Sequence, residues 1–510
     1  MKNKRQYLWN ALLLTAVTLL MRTVSVGFNV YVSNRVGAEA MGLISLVGSV
    51  YGFAITLATS GIHLATVRIT ATHMEQNKGS DNGQVLRACL AYATCFGTLA
   101  FLLLLAFSKP ISLGILHEPR TTKALRILAF TLPPIAATSV LNGYFTAVRR
   151  AWKNAVAQVS EQAIKITLTA YLLVAVAPKT VEGSVLAILL GGAVSESFSL
   201  VLNLALYLHD KHRYKHPNPT KIKQRIRVAA IAMPVAISAY MRSGLVAIEH
   251  ILIPRGLLAY GAGNAAALSA YGALHGMALP VVLYPAAILS SFSALLIPEI
   301  TEQDSAGNRR QIRYIAGRAY QFTMLFSLGV GGVTLLFSKE LGQILYGSKE
   351  VAVYIRYLAP LIPIMYLDTA TDAMLKGLGQ QVYSMNVNIL DALISVVFVS
   401  LLVPRMGILG YVVTIYVTEL FNAAFSVKRL LHVSGFHPKL RSLLLYPALA
   451  IVGAIALSRL ALSFLVPCSS GAELALWILA ASLLYFVLLF LLGGFGKKDT
   501  KWLIGSLMGQ

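Results

Sequence analysis

Residues 154–165 read NAVAQVSEQAIK, and residues 384–395, 230 positions further on, read SMNVNILDALIS. In the first stretch Asn154, Gln158, Glu161 and Lys165 follow the spacing i, i+4, i+7, i+11; in the second, Ser384, Asn388, Asp391 and Ser395 repeat it. That spacing places four polar side chains on one face of a helix. The positions around them are largely apolar, so each stretch reads as a membrane helix with a polar seam. Working outward, the offset of 230 also pairs Pro133 with Pro363, Thr138 with Asp368 and Asn142 with Asp372. Earlier in the chain the offset is 220: Leu20-Met21-Arg22 answers to Met241-Arg242, Asn29 to Glu249 and Arg35 to Arg255. The change of offset places an insertion in the second copy, and segment 257–267, with Gly261-Ala262-Gly263-Asn264, can hold it. A membrane bundle written twice, with polar residues kept at matching depths, is expected of a transporter whose path runs between the copies.

Composition agrees with that class. Of 510 residues, 57% are hydrophobic and 12% charged, against about 25% charged in a soluble domain. The sequence predicts an all-α polytopic membrane protein with about fourteen spans of roughly 20 residues. They lie near 8–32, 40–63, 86–107, 125–148, 155–177, 184–208, 228–253, 266–297, 314–337, 352–375, 382–403, 407–427, 442–465 and 472–493. Six helices form one repeat. Six is even, so the copies keep one orientation and are parallel repeats. The expected division is 1–208 (helices one to six), a basic linker at 209–227, 228–430 (helices seven to twelve) and 431–510 (helices 13 and 14 with a tail).

The net charge of +23 does not point to nucleic acid. With the N-terminus placed in the cytoplasm, about 28 Lys/Arg fall on the inner side and about 11 on the outer, the positive-inside bias of a cytoplasmic-membrane protein. The C-terminus then also lies inside. The linker carries Lys211, Arg213, Lys215, Lys221, Lys223, Arg225 and Arg227; it reads as a solvated segment, with anionic lipid as the other reading. Lys2, Lys4 and Arg5 before an apolar run resemble a signal peptide. Arg22 interrupts the run, however, so an uncleaved first helix is expected. Cys89, Cys95 and Cys468 make no framework. The loops on the outer side are short and hold no catalytic domain.

Arg22 and Arg242 lie inside apolar runs, where a central Arg costs roughly 2.5–3.5 kcal/mol. Such a residue needs a partner or a water-filled cavity, and a guanidinium pairs bidentately with phosphate. A structural ion pair is the competing reading. Glu249 follows Arg242 by seven and shares its face; Glu249 or His250 is a candidate for a coupling proton or ion. Arg35 and Arg255 stand near helix ends, where anchoring at the interface is the simpler reading. Glu161 precedes Lys165 by four, the favourable order for a helical ion pair, and a transport role stands beside it. Asp391 repeats the carboxylate without the cation. Asp368 and Asp372, just after Pro360 and Pro363, resemble a cation site, or one that a proton neutralises. Glu196 and Glu419 complete the cavity candidates. Arg68 ends the second helix at a mouth where an anionic headgroup would arrive. There is no P-loop, no GxSxG and no HExxH, so no enzyme is indicated and no cofactor beyond a coupling cation, Na+ or H+. His209, His212 and His216 have helical spacing but sit among cations beside Pro217, which argues against a metal.

Asn34-Arg35-Val36-Gly37-Ala38-Glu39-Ala40-Met41-Gly42-Leu43, followed by Ser60-Gly61-Ile62, resembles the polysaccharide-export branch, of the stage V sporulation protein B type, within the MATE-like flippase superfamily. The resemblance runs from helix one through fourteen. It implies N and C lobes of six helices around a central cavity that opens alternately to either side. It also implies a polyprenyl-pyrophosphate-linked saccharide as cargo, such as a peptidoglycan precursor, with membrane lipids and cell-wall synthesis enzymes as partners. In similar lipid II flippases cavity arginines take the pyrophosphate; Arg22 matches the first-helix arginine of that pattern and Arg68 resembles the one ending helix two. Those relatives carry an Arg-Asp pair further along helix one where this chain has Phe28-Asn29, a departure that counts against lipid II itself but not against a related lipid-linked sugar. Two other classes stand beside this reading. One is a cation-coupled drug or metabolite antiporter of the same fold, which Asp368, Asp372 and Asp391 favour. The other is a membrane glycan polymerase or ligase, which the short outer loops disfavour.

Overall fold

The computed structural model describes residues 2–76, 83–175, 180–211, 223–436, 441–464 and 470–494. Among these residues every regular element is a helix. Among the described residues, eleven helical segments are long and apolar enough to cross a membrane, or twelve if the pair Thr121–Ala129 and Leu132–Ala147, bent by 41°, counts as one span. The chain is therefore a multi-pass, all-α membrane protein, but fourteen is not confirmed as the number of spans. The first two expected spans run together in one helix, Lys2–Thr59, interrupted at Gly37 (φ 81, ψ 172). The Ala151–Ala175 helix, which carries the Asn154–Lys165 seam, is not among the eleven. Gly37 marks the break because a side chain there would clash in that backbone conformation. Most of the basic linker (212–222), Cys468 and the tail from 495 lie outside the described residues.

The duplication appears in the element boundaries. Helix Leu132–Ala147 and helix Ile362–Gly377 are 230 residues apart at both ends, and so are the π-helical turns Ile111–Ile115 and Leu341–Leu345. Helices Ala151–Ala175 and Gln381–Met406 begin at the same offset. Pro133 and Pro363 sit in the first turns of their helices, where a missing N–H is harmless and the fixed φ suits the helix. Even the left-handed positions match: His117 (φ 54) and Gly347 (φ 61), Arg149 (φ 59) and Gly379 (φ 68).

By packing, the chain forms two compact units. One takes Thr18–Ala38 with Gly256–Gln510; the other takes Glu39–Arg255; the first residues alternate, Met1–Leu8 going to the former and Trp9–Val17 to the latter. The unit boundaries thus fall after Ala38 and Arg255. Each unit holds the leading helix of the other repeat. Between apolar helices in lipid there is little hydrophobic drive, and association follows from close packing and polar satisfaction. A leading helix therefore joins the surface it fits, whatever its place in the chain.

Within the unit Glu39–Arg255, Gly61 (φ 76) lets the chain lie against the backbone of Ala232; a Cβ there would fall onto it. Tyr240 Oη donates to the Leu57 carbonyl (3.2 Å) and Thr56 Oγ1 to Ser243 Oγ (3.0 Å), so polar groups fasten the same contact. In the unit containing Gly256–Gln510, one core joins Ile300, Ile312, Ala319, Met374, Leu375 and Leu430. A second core centres on Phe337, Ala450, Tyr485 and Leu489. Gly329 in the Arg309–Leu336 helix faces the Tyr485 ring, and Tyr485 Oη donates to the Leu325 carbonyl at 2.8 Å.

Candidate functional site

The structure divides the three candidate arginines. Arg22 belongs to the unit with Gly256–Gln510, Arg68 and Arg242 to the unit Glu39–Arg255, and all three side chains are exposed. Arg22 lies within electrostatic range of Tyr366, whose Oη donates to the Val282 carbonyl at 2.9 Å. The next residue, Thr23, bonds through Oγ1 to the Leu19 carbonyl (3.0 Å) and to Tyr284 Oη (2.8 Å). Arg242 precedes Ser243, the acceptor of the Thr56 bond. Glu249 and His250 are half-buried and partnered.

Two charged groups assemble at matching places in the two copies. In the unit Glu39–Arg255, Glu161 accepts a hydrogen bond from Ser199 and interacts electrostatically with Lys165. Glu196 from the Val181–Lys211 helix interacts with both Glu161 and Lys165. In the other unit, Glu419 of the Ile408–Ser434 helix interacts with Asp368 and Asp391. The same pair of helices supplies a carboxylate each in both copies. One copy adds an ammonium and the other a third carboxylate. Asp372 goes elsewhere: it pairs with Lys376 (2.6 Å) and accepts from Ser384 Oγ, joining helix Ile362–Gly377 to helix Gln381–Met406. Lys376 stands four residues after Asp372, so that pairing was readable from the spacing. Among the described residues no group of three His, Cys, Asp or Glu is arranged to hold a metal ion.

Two features escaped the sequence reading. The first is an apolar cavity of about 780 Å³ inside the unit with Gly256–Gln510. Thr23, Gly27 and Val30 of the first helix line it, with Tyr284, Val333 and Phe486. Its walls come from distant segments, so no local pattern announces it. The second is a buried ion cluster: Asp210 (2% exposed) binds Lys153 (3% exposed) at 2.7 Å and also Arg150. Lys153 Nζ donates to the Leu206 carbonyl (3.0 Å) and lies over the Phe145 ring at 5.3 Å. Burying these charges is tolerable because each has a partner. The only advance signal was a lone Asp at the end of an apolar helix.

Comparison with known proteins places this geometry. The profile described as polysaccharide biosynthesis protein matches residues 7–303, and the MatE profile matches residues 258–401. The chain is 26% identical over 513 residues to stage V sporulation protein B of Bacillus subtilis (strain 168), covering 98% of each. It is 23% identical over 501 residues to lipid II flippase MurJ of the same organism, covering 90% of this chain and 89% of that protein. A solved structure of lipid II flippase MurJ in an inward closed conformation matches the fold with a TM-score of 0.68 at 10% identity, covering 94% of this chain and 98% of that one. The proteins it resembles are flippases and transporters rather than enzymes. With a profile spanning more than half of its length and the fold in agreement, this chain belongs to the polysaccharide biosynthesis protein family, in the superfamily of MATE transporters and MurJ-type flippases.

Proposed function

We propose that this protein is a flippase that moves a polyprenyl-pyrophosphate-linked oligosaccharide, a peptidoglycan or polysaccharide precursor, across the cytoplasmic membrane by alternating access. Both termini lie on the cytoplasmic side in this reading. One observation carries it: the exposed Arg22 guanidinium immediately precedes Thr23 on the wall of a large apolar cavity. A cation one residue from the wall of an apolar chamber suits a ligand with a pyrophosphate at one end and an isoprenoid chain at the other. The named activity of MurJ, lipid II flipping, supports the same class of cargo. Arg68 and Arg242 are further candidates for the pyrophosphate. Asp368, Asp391 and Glu419, which are not arranged to hold a metal ion, are candidates for a coupling proton, and Glu161, Lys165 and Glu196 are their counterparts in the first copy.

The test is transfer of a polyprenyl-pyrophosphate sugar between leaflets of proteoliposomes holding the purified protein. A hydrogen bond to a charged group is worth roughly 1.5–3 kcal/mol. Arg22→Ala is therefore expected to slow transfer about tenfold or more, and Arg22→Lys less. Transfer by Arg22→Ala and Arg242→Ala at the parent rate sinks the pyrophosphate-clamp reading. The MatE match at residues 258–401 and the two carboxylates around Glu419, Asp368 and Asp391, favour a second reading, a cation-coupled antiporter. Drug efflux that is lost in Asp391→Asn, with no lipid transfer by the parent, would establish that reading instead.

A further inference from the structure

The chain enters the unit Glu39–Arg255 at Glu39 and leaves it at Arg255, and one short loop holds both ends. Arg255 Nη2 donates to the carbonyl of Gly114, in the π-helical turn Ile111–Ile115, at 3.0 Å, and to His117 Nδ1 at 2.8 Å. A guanidinium has no acceptor, so Nδ1 must be the acceptor here. Three residues on, Arg120 Nη1 donates to Glu39 Oε1 at 2.8 Å. Arg120 is itself fixed by the buried Glu118, at 2.7 Å through Nε and 3.0 Å through Nη2. Those carboxylates, Glu118 foremost, hold the Arg120 guanidinium well above the ordinary arginine range.

The other unit repeats the device with different chemistry. Its π-helical turn Leu341–Leu345 stands 230 residues after the first, and the Leu345 carbonyl accepts from Asn34 Nδ2 at 2.6 Å. Asn34 precedes the Gly37 break by three residues, where this unit's borrowed leading helix ends at Ala38. In each unit, then, a π-helical turn offers a carbonyl to the end of the exchanged helix. Single π turns inside helices are rare and concentrate at functional positions. The backbone carries a further sign. The second copy has Gly347 at its left-handed position, but the first has His117 (φ 54). A non-glycine residue persists there only when its surroundings fix it, and the bond to Arg255 does so.

We propose that the turns 111–115 and 341–345 are paired clasps that hold the two chain crossovers, Ala38/Glu39 and Arg255/Gly256, rigid, and that opening a clasp frees the backbone of its crossover. The test is amide hydrogen exchange on the full-length protein in lipid nanodiscs, read on peptides covering 36–40 and 253–258. Asn34→Ala is expected to speed exchange at 36–40 roughly fivefold, the loss of one neutral hydrogen bond, and Arg255→Gln to speed it at 253–258 roughly tenfold, the loss of a charged one. Each effect should stay at its own crossover. His117→Gly removes the imidazole yet keeps the left-handed backbone, as Gly347 does, so it carries the test if Arg255→Gln does not fold. Unchanged exchange at both crossovers in the folded variants overturns the proposal. So does a rise that spreads equally to the Leu132–Ala147 helix, which would make these bonds ordinary supports of the fold.

Discussion

Asp210 shows how much rests on single residues in this protein. It is 2% exposed and faces both Lys153 and Arg150. Removing one partner of a buried pair leaves the other charge uncompensated and costs about 3–5 kcal/mol. Asp210→Asn is therefore expected to lower stability by about that amount, whereas Lys153→Met, which leaves Asp210 its Arg150 contact, is expected to cost less. Thermal unfolding in detergent compares the two; equal losses would show that Arg150 does not compensate. Arg22 was legible in the sequence because a charge in an apolar run is conspicuous. Asp210 was not, since its meaning depends on two cations more than fifty positions earlier.

At the scale of elements, small residues decide which helices approach. Gly61 is needed twice over, for its positive φ and for its contact with Ala232. Gly61→Ala is expected to destabilise the unit by about 1–3 kcal/mol, the usual cost of overpacking. Gly27→Ala is the matched control, because a Cβ on Gly27 meets nothing within 4 Å; it should be neutral or slightly stabilising, as Ala is the better helix former. Similar melting of the two variants would remove the close approach at Ala232 from the account. The periodic seams and the gap between the first two apolar runs, where Gly37 lies, were readable in advance, because each is a local property of the chain; Pro133 and Pro363 were matched as counterparts, but inside the expected spans 125–148 and 352–375 and not in first turns. The π-helical turns were not readable, since no short pattern specifies them; the 41° bend between Thr121–Ala129 and Leu132–Ala147 falls just before Pro133 and Pro134.

For the molecule as a whole, the apolar cavity is the feature that tests function apart from stability. It is built from segments spread over residues 23–486, and Gly27 opens onto it without a neighbour in the way. Gly27→Phe is expected to fill part of it without unfolding the protein. If the chamber takes the isoprenoid chain, this variant transfers a long-chain polyprenyl-pyrophosphate sugar several-fold more slowly and a short-chain analogue at nearly the parent rate. Equal slowing of both, measured in the same proteoliposomes, would separate the cavity from the lipid chain.

The sequence by itself determined the membrane class, the duplicated plan and the polar seams of both copies. Composition, periodicity and a constant offset are properties of the chain, and they persist whatever packs against what. Only the tertiary structure decided that Thr18–Ala38 joins Gly256–Gln510 while the chain up to Arg255 joins the first copy. It alone showed that Asp372 also accepts from Ser384 while Asp368 meets Asp391 and Glu419. The physical reason is the solvent. In lipid an apolar helix surface does not mark which side faces protein, so partners are chosen by close packing and by distant polar groups that must find one another.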